Sequence, residues 1–347
     1  DIVLRYARTH GPFTSGMLAA RYALAPRAAE AALARLAATG RLVPGEFRPG
    51  RTGHEWCEAN VLRQVRQRSL ARLRHEVEPV DAAALGRLVT TWQGVTTKRK
   101  GLDALLDAIE QLQGTPLVAS LVEREILPAR IDQYSPADLD LLVGSGQVTW
   151  VGLEPLGERD GRVALYLTDH LPKLLVPSST PTDLSERACA IVEHLRRQGA
   201  SFFPAIHEAA GGGYPGETVD TLWDLAWRAV VTNDTFHALR AFTRPPVRRT
   251  RRDHRQGFRS RRLTPPTAEG RWSLVEPRVG TSVSSTERAT ALAWQLLNRH
   301  GVLTREAIAI EQIPGGFSTV YDVLKALEEN GRIRRGSTSE GSYNPSR

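Results

Sequence analysis

One arrangement of residues occurs near both the start and the end of this chain. It constrains the fold more than any other feature. From Thr286 to His300, the apolar residues Ala289, Leu292, Ala293, Leu296 and Leu297 recur at three- and four-residue spacing, which predicts an amphipathic helix. Gly301 stops it, and Thr304 is placed to cap a short second helix running through Ile310. Ser318 opens a third helix, carried by Val320, Val323, Leu324 and Leu327 and ended by Gly331. "RIRRGS" follows and is expected to form a short, very basic strand and turn.

Residues 2–47 repeat that order. His10-Gly11-Pro12-Phe13-Thr14 aligns with His300-Gly301-Val302-Leu303-Thr304, Leu33 with Leu324, Leu36 with Leu327, and Gly40-Arg41 with Gly331-Arg332. Two divergent copies are expected at roughly 101–169 and 183–240, the latter with Thr182-Asp183 as the cap of its first helix. Three helices followed by a strand-turn is the outline of a winged helix. The expected fold is therefore mostly α with short β wings, a tandem array of four winged-helix domains. The expected segments are 1–57, a connecting basic helix at 58–80, 81–177, 182–244, an arginine-rich linker at 245–270, and 271–340.

At 347 residues the chain is too long for one core and suits several small domains. It opens on aspartate with a helix beginning at once, which reads as a piece of something longer. The formal charge of +8 favours an anionic partner, most often nucleic acid. Of the 46 basic side chains 42 are arginine, a bias that a GC-rich genome also produces without selection for binding. Cys57 and Cys189 are too few for a cysteine-ligated zinc or a disulfide framework, so no metal is expected, and a reducing cytoplasm fits. No apolar run approaches the ~18 residues of a membrane span. No G-x-x-x-x-G-K-[ST] loop is present, so the segment cannot hydrolyse ATP by itself, and no cofactor is expected.

Candidate phosphate contacts in the first repeat are Arg27, at the start of its third helix, with Arg48 and Arg51 in the wing. Arg334 and Arg335 take the corresponding place in the last repeat. Between 248 and 262 stand eight arginines against one aspartate, including Arg248, Arg249, Arg251, Arg252 and Arg255. That run cannot bury enough apolar surface to fold alone and suits a strap against phosphates, with Phe258 available to stack on a base. Solvated surface arginine, or an inert linker, is the plainer reading of each. His194, His207 and His237 are scattered, and Gly211-Gly212-Gly213 lacks the helix context of a phosphate loop.

Several long strings match one family in order: "EVEPV", Trp92-Gln93-Gly94-Val95, "IEQLQG", "ILPARIDQYSPADLDLL", "GQVTWVGLEPLGERDGRVALY", "GRWSLVEP", "HGVLTREA" and "IPGGFSTVYDVLKALEENGRIRRG". Together they resemble the C-terminal region of the large helicase-related proteins, Lhr, of bacteria. The resemblance covers residues 1–336. It implies a cytoplasmic, nucleoid-associated winged-helix array on the same polypeptide as an ATP-dependent DNA helicase core, with DNA as partner and a role in DNA repair. After Gly336, where the family continues into a β-barrel, this chain reads as a low-complexity tail.

The second repeat also resembles the winged-helix (AlkZ-type) DNA glycosylases, whose motif is glutamine, an apolar residue, glutamine. Gln111 and Gln113 match it, which implies a catalytic role in excising a damaged base or uracil. On an irregular or extended backbone, two residues one apart project to the same side. A glutamine can position a water through its carbonyl, although it is a poor proton acceptor. Glu110, Glu123, Glu125 and Asp132 are the nearby candidates for a base. The plain alternative makes the glutamines a helix end capping free carbonyls. A rival function for the whole array is a protein-interaction or homo-oligomerisation platform without catalysis.

Overall fold

The computed structural model describes residues 1–48, 53–75, 80–176, 183–244, 264–279, 283–311, 313 and 315–336. Two compact bodies divide the chain. One holds Asp1–Ala82 with Leu324–Arg347, the other Ala83–Val323.

In the first body, α1 (Ile2–Thr9), α2 (Ser15–Tyr22) and α3 (Pro26–Ala38) precede a wing of β2 (Leu42–Gly45) and β3 (Glu55–Glu58). A two-residue strand, β1 (Phe13–Thr14), completes a sheet of order β1-β3-β2 with both pairings antiparallel. Thr14 caps α2 by accepting the Met17 amide, and Pro26 occupies N1 of α3, where its missing N–H costs nothing. Tyr6, Phe13, Leu18, Leu33 and Leu42 fill the core. The basic helix follows as α4 (Ala59–His75).

The second body opens on α5 (Ala82–Trp92) and α6 (Gly101–Leu112). β4 (Leu117–Val118) leads into α7 (Ala119–Leu121), which runs on as a π turn over Val122–Ile126, and α8 (Pro136–Gly144) follows. The wing is a longer hairpin, β5 (Val148–Pro155) and β6 (Gly161–Leu167), in the order β4-β6-β5, and α9 (Leu171–Leu174) closes this repeat. The third repeat uses α10 (Glu186–Gln198), β7 (Ser201–Phe202), α11 (Phe203–Ala209), α12 (Pro215–Trp227), β8 (Val231–Asn233) and α13 (His237–Thr243). Its sheet is completed by β9 (Arg271–Leu274), in the order β7-β9-β8, and α14 (Glu276–Val279) follows. The fourth repeat supplies α15 (Ser285–His300) and α16 (Arg305–Ile310) to this body, and its α17 (Ser318–Glu329) is divided between the two bodies after Val323.

Each sheet has three strands, as winged helices require. Three details depart from the sequence reading. The strand at 271–274 pairs with β7 and β8, so the third repeat closes after the arginine-rich run, not before it, and 271 does not open the fourth. No strand is formed at 332–336, so the fourth repeat is helical among the described residues. Ser185, not Thr182-Asp183, caps α10 through the Ala188 amide; Asp183 instead pairs with Arg228 at 3.1 Å.

The second and third repeats do not stand as separate beads. One apolar cluster runs through both, from Ala104 in α6 to Leu274 in β9. Trp150 of β5 stacks with Trp223 of α12 at 6.1 Å, and Trp223 meets Trp272 edge-on at 5.5 Å. Close approach depends on Gly152, where an added Cβ would lie 2.4 Å from the Ala226 carbonyl oxygen. The third helix of the third repeat, α12, thus buries Leu222, Trp223, Leu225, Ala226 and Trp227. The face it leaves exposed carries Glu217, Asp220 and Asp224.

Candidate functional site

The glutamine pair lies where α6 ends. Gln111 is still in the last turn of the helix; Gln113 is its C-cap, with φ −49° and ψ 130°. Gly114 continues at φ +76°, a value that glycine adopts without penalty. The pair is therefore not on extended backbone, and the two side chains have different surroundings. Gln113 is fully buried. Its Oε1 accepts the Leu167 amide at 2.9 Å, and its Nε2 faces the Glu110 carbonyl at 3.2 Å, His170 Nδ1 at 3.1 Å and Gln295 Oε1 at 3.4 Å. Gln111 is only half-buried. Its Nε2 donates to the carbonyls of Trp92 at 3.0 Å and Asn298 at 3.3 Å, and among the described residues no donor meets its Oε1.

Helix α15 provides the other side of this seam. Gln295 Nε2 donates to the carbonyls of Glu110 at 2.8 Å and Gln111 at 3.1 Å, which are orphans of the α6 terminus. Arg299 donates to the Gln113 carbonyl and to Glu311, and His300 reaches the same carboxylate at 2.8 Å. Burial alone would raise the Glu311 carboxyl, but the hydrogen bonds from His300 and Arg299, with the charge of Arg299, hold it below the ordinary value. Burial pushes the neighbouring Tyr166 phenol up to about 12, so it stays neutral at physiological pH.

The carbonyls at the α15 C-terminus are capped in return. Trp92 Nε1 donates to Asn298 O at 2.7 Å, and Gln93 Nε2 donates to Arg299 O. Arg130 holds the Gln93 side-chain oxygen at 2.7 Å. The seam therefore joins two helix ends through side-chain amides, an indole and one buried guanidinium.

The other candidates are placed individually. Glu123 is bound by Arg240 at 2.6 Å and by the Tyr134 hydroxyl at 2.7 Å, and Arg240 also holds Asp140. Glu125 pairs with Arg124 and Asp132 with Lys100, both on the surface. Arg27 is exposed on α3. Arg48 is half-buried and pairs with Glu55 at 2.5 Å. Arg334 and Arg335 are exposed, and Arg335 stands 3.6 Å from Glu328. Arg51, Arg248, Arg249, Arg251, Arg252, Arg255 and Phe258 lie outside the described residues. Among the described residues, no cluster of His, Cys, Asp and Glu could hold a metal ion, and no helix is long and apolar enough to cross a membrane.

The sequence reading missed Trp92, Gln295 and Arg299 as partners of the glutamines, and Gln93 and Glu311 as partners of Arg299 in turn. Gln295 and Arg299 are four apart and so share a helix face, a signal that was available but named no partner.

A family model described as a winged-helix domain of large helicase-related protein matches residues 80–168, and a second of the same description matches residues 282–342. A protein of Mycolicibacterium smegmatis named "Lhr helicase/ probable uracil glycosylase" is 42% identical over 350 residues, covering 97% of this chain and 23% of that protein. One of Escherichia coli named "Lhr helicase/uracil glycosylase" is 35% identical over 381 residues, covering 98% of this chain and 24% of that protein. The chain spans about a quarter of the length of these curated relatives.

Proposed function

The chain belongs to the large helicase-related family as part of its winged-helix region, and on that premise we propose that it binds DNA in repair and houses a base-excision site around Gln111. The helicase core would lie elsewhere on the same polypeptide, as the names of both relatives suggest. The observation that carries the excision reading is the state of the Gln111 amide. Its nitrogen is fixed by two carbonyls, while its oxygen is free of any donor among the described residues. A held carbonyl of that kind can orient a water against the sugar carbon of a nucleotide taken out of its stack. Water would add to that carbon as the base departs with the electron pair of the broken bond, and the proton that the water sheds passes to the departing base. Gln113, fully buried and bonded at both ends of its amide, serves as a positioning residue that sets the end of α6.

The docking reading is favoured for one part of the chain. In α12 the face away from the core carries Glu217, Asp220 and Asp224, with Arg187 and Arg228 taken up in ion pairs with the first and last of them, which leaves phosphates little attraction there, and the rest of that helix packs on the second repeat. The third repeat is thus an interaction module, and DNA contacts fall to the arginine-bearing repeats.

Incubation of the chain with single-stranded and duplex oligonucleotides carrying uracil or an alkylated base, followed by alkaline cleavage, tests the reading. Strand scission at the modified base is expected, with Gln111→Ala slower by on the order of 10²-fold at unchanged DNA affinity. No scission by the parent chain would remove the excision reading and leave DNA binding or docking in its place.

A further inference from the structure

Trp92 is fixed at the surface by its edge and by one face. Its indole Nε1 is pinned to the Asn298 carbonyl, which Gln111 Nε2 also approaches, so ring and amide converge on one oxygen. The ring lies over Gly301. A Cβ at that glycine would stand 2.9 Å from ring carbon Cδ2 and 3.0 Å from Cγ, and its φ of +68° independently favours glycine. Yet Trp92 remains 46% exposed. A ring fixed by one edge and backed by a backbone, with surface left open, is a ready-made stacking plane: little side-chain freedom is left to lose on binding.

The charge around it suits a nucleic acid. Lys98, Arg99 and Lys100 follow Trp92 within one loop. Lys98 is anchored to the Pro128 carbonyl at 2.7 Å, while Arg99 and Lys100 pair with Asp107 and Asp132 at exposed positions. Exposed pairs of that kind contribute little, so exchanging a carboxylate for a phosphate is cheap.

We propose that Trp92 is a base-stacking platform beside Gln111, on which a nucleobase displaced from its own stack rests within reach of the glutamine carbonyl, with the 98–100 loop steadying the flanking phosphates. This rests on the DNA-binding reading above and adds to it the surface that receives the base.

The test compares two single-stranded oligonucleotides, one natural and one with a single abasic tetrahydrofuran nucleotide at its centre, by equilibrium binding to the parent chain, Trp92→Ala and Trp92→Phe. Stacking on an aromatic side chain is sensitive to the base and indifferent to the phosphate. The parent should prefer the strand with its base by roughly tenfold, Trp92→Phe should keep most of that preference, and Trp92→Ala should bind both strands alike. A parent that binds both strands equally tightly overturns the platform and leaves DNA binding intact. If Trp92→Ala weakens both strands by the same factor, the ring only caps α15, and the proposal fails. A parent that binds neither strand removes both this inference and the reading beneath it.

Discussion

Arg299 is the residue whose loss should reveal what closes the seam. Its guanidinium is 7% exposed and holds the Gln113 carbonyl and the Glu311 carboxylate, itself only 10% exposed. Breaking a buried pair by removing one partner typically costs ~3–5 kcal/mol. His300 still donates to Glu311, which places the expectation at the lower end of that range. The orphaned Gln113 carbonyl adds about 1–3 kcal/mol, offset in part because the guanidinium no longer has to be desolvated. A net loss of about 3 kcal/mol follows. If the body spanning Ala83–Val323 melts as one, that corresponds to a fall in Tm of roughly 6–12 °C. Scanning calorimetry on Arg299→Ala, Glu311→Gln and the double variant would measure it. Because the two groups satisfy each other, the double variant should fall little further than the worse single one. A change under about 2 °C for Arg299→Ala, or strictly additive losses, would refute a closed seam in solution.

The depressed Glu311 carboxyl gives a pH signature. A group whose folded pKa lies below its unfolded value contributes stability that is fully present above the ordinary 4.5 and lost as pH falls through the folded value. Glu311→Gln should therefore abolish part of the acid sensitivity seen below about pH 4.5, read as Tm against pH. Gly152→Ala should destabilise by about 2 kcal/mol or more, since the new methyl meets backbone at 2.4 Å, whereas Gly144→Ala has nothing nearer than 3.8 Å and should be close to neutral; denaturant melts distinguish them. Replacing Arg248, Arg249, Arg251 and Arg252 by alanine should flatten the log–log salt dependence of duplex binding by roughly two or more, and an unchanged slope would make that stretch a spacer.

The repeat architecture was legible because its signals are local. Apolar spacing, the Thr304 cap, Pro26 at N1 and the glycine stop at 301 all act within one helix turn or two, and each appears where the residues place it. The boundary after the third repeat was hidden because β9 returns across the arginine-rich run to pair with β8, and pairing at that separation leaves no trace in periodicity. The glutamines were visible as a motif, but their environments were not. Gln113 meets Gln295 across 182 residues and Arg299 across 186. A buried arginine reads in sequence as one more surface cation, because the carboxylate that neutralises it is itself found only in the fold.

Why polar side chains gather at such a seam follows from counting donors and acceptors. Two helices end there, α6 at Leu112 and α15 at His300, and each presents carbonyls with no partner in its own helix. The sequence answers with Gln295 and Arg299 toward one end and Trp92, Gln93 and Gln111 toward the other. These groups are not equivalent after capping. Arginine and the indole nitrogen only donate, so capping leaves them no acceptor to offer. A glutamine donates with its nitrogen and retains a carbonyl oxygen. At Gln93 that oxygen is taken by Arg130, and at Gln113 by the Leu167 amide. At Gln111 it is taken by no described residue, and there the seam reaches the surface beside an exposed indole. The fold thus ties the Gln111 amide nitrogen to two carbonyls for structural reasons and leaves its oxygen without a donor among the described residues, which is the acceptor that the proposed excision site would use to orient water.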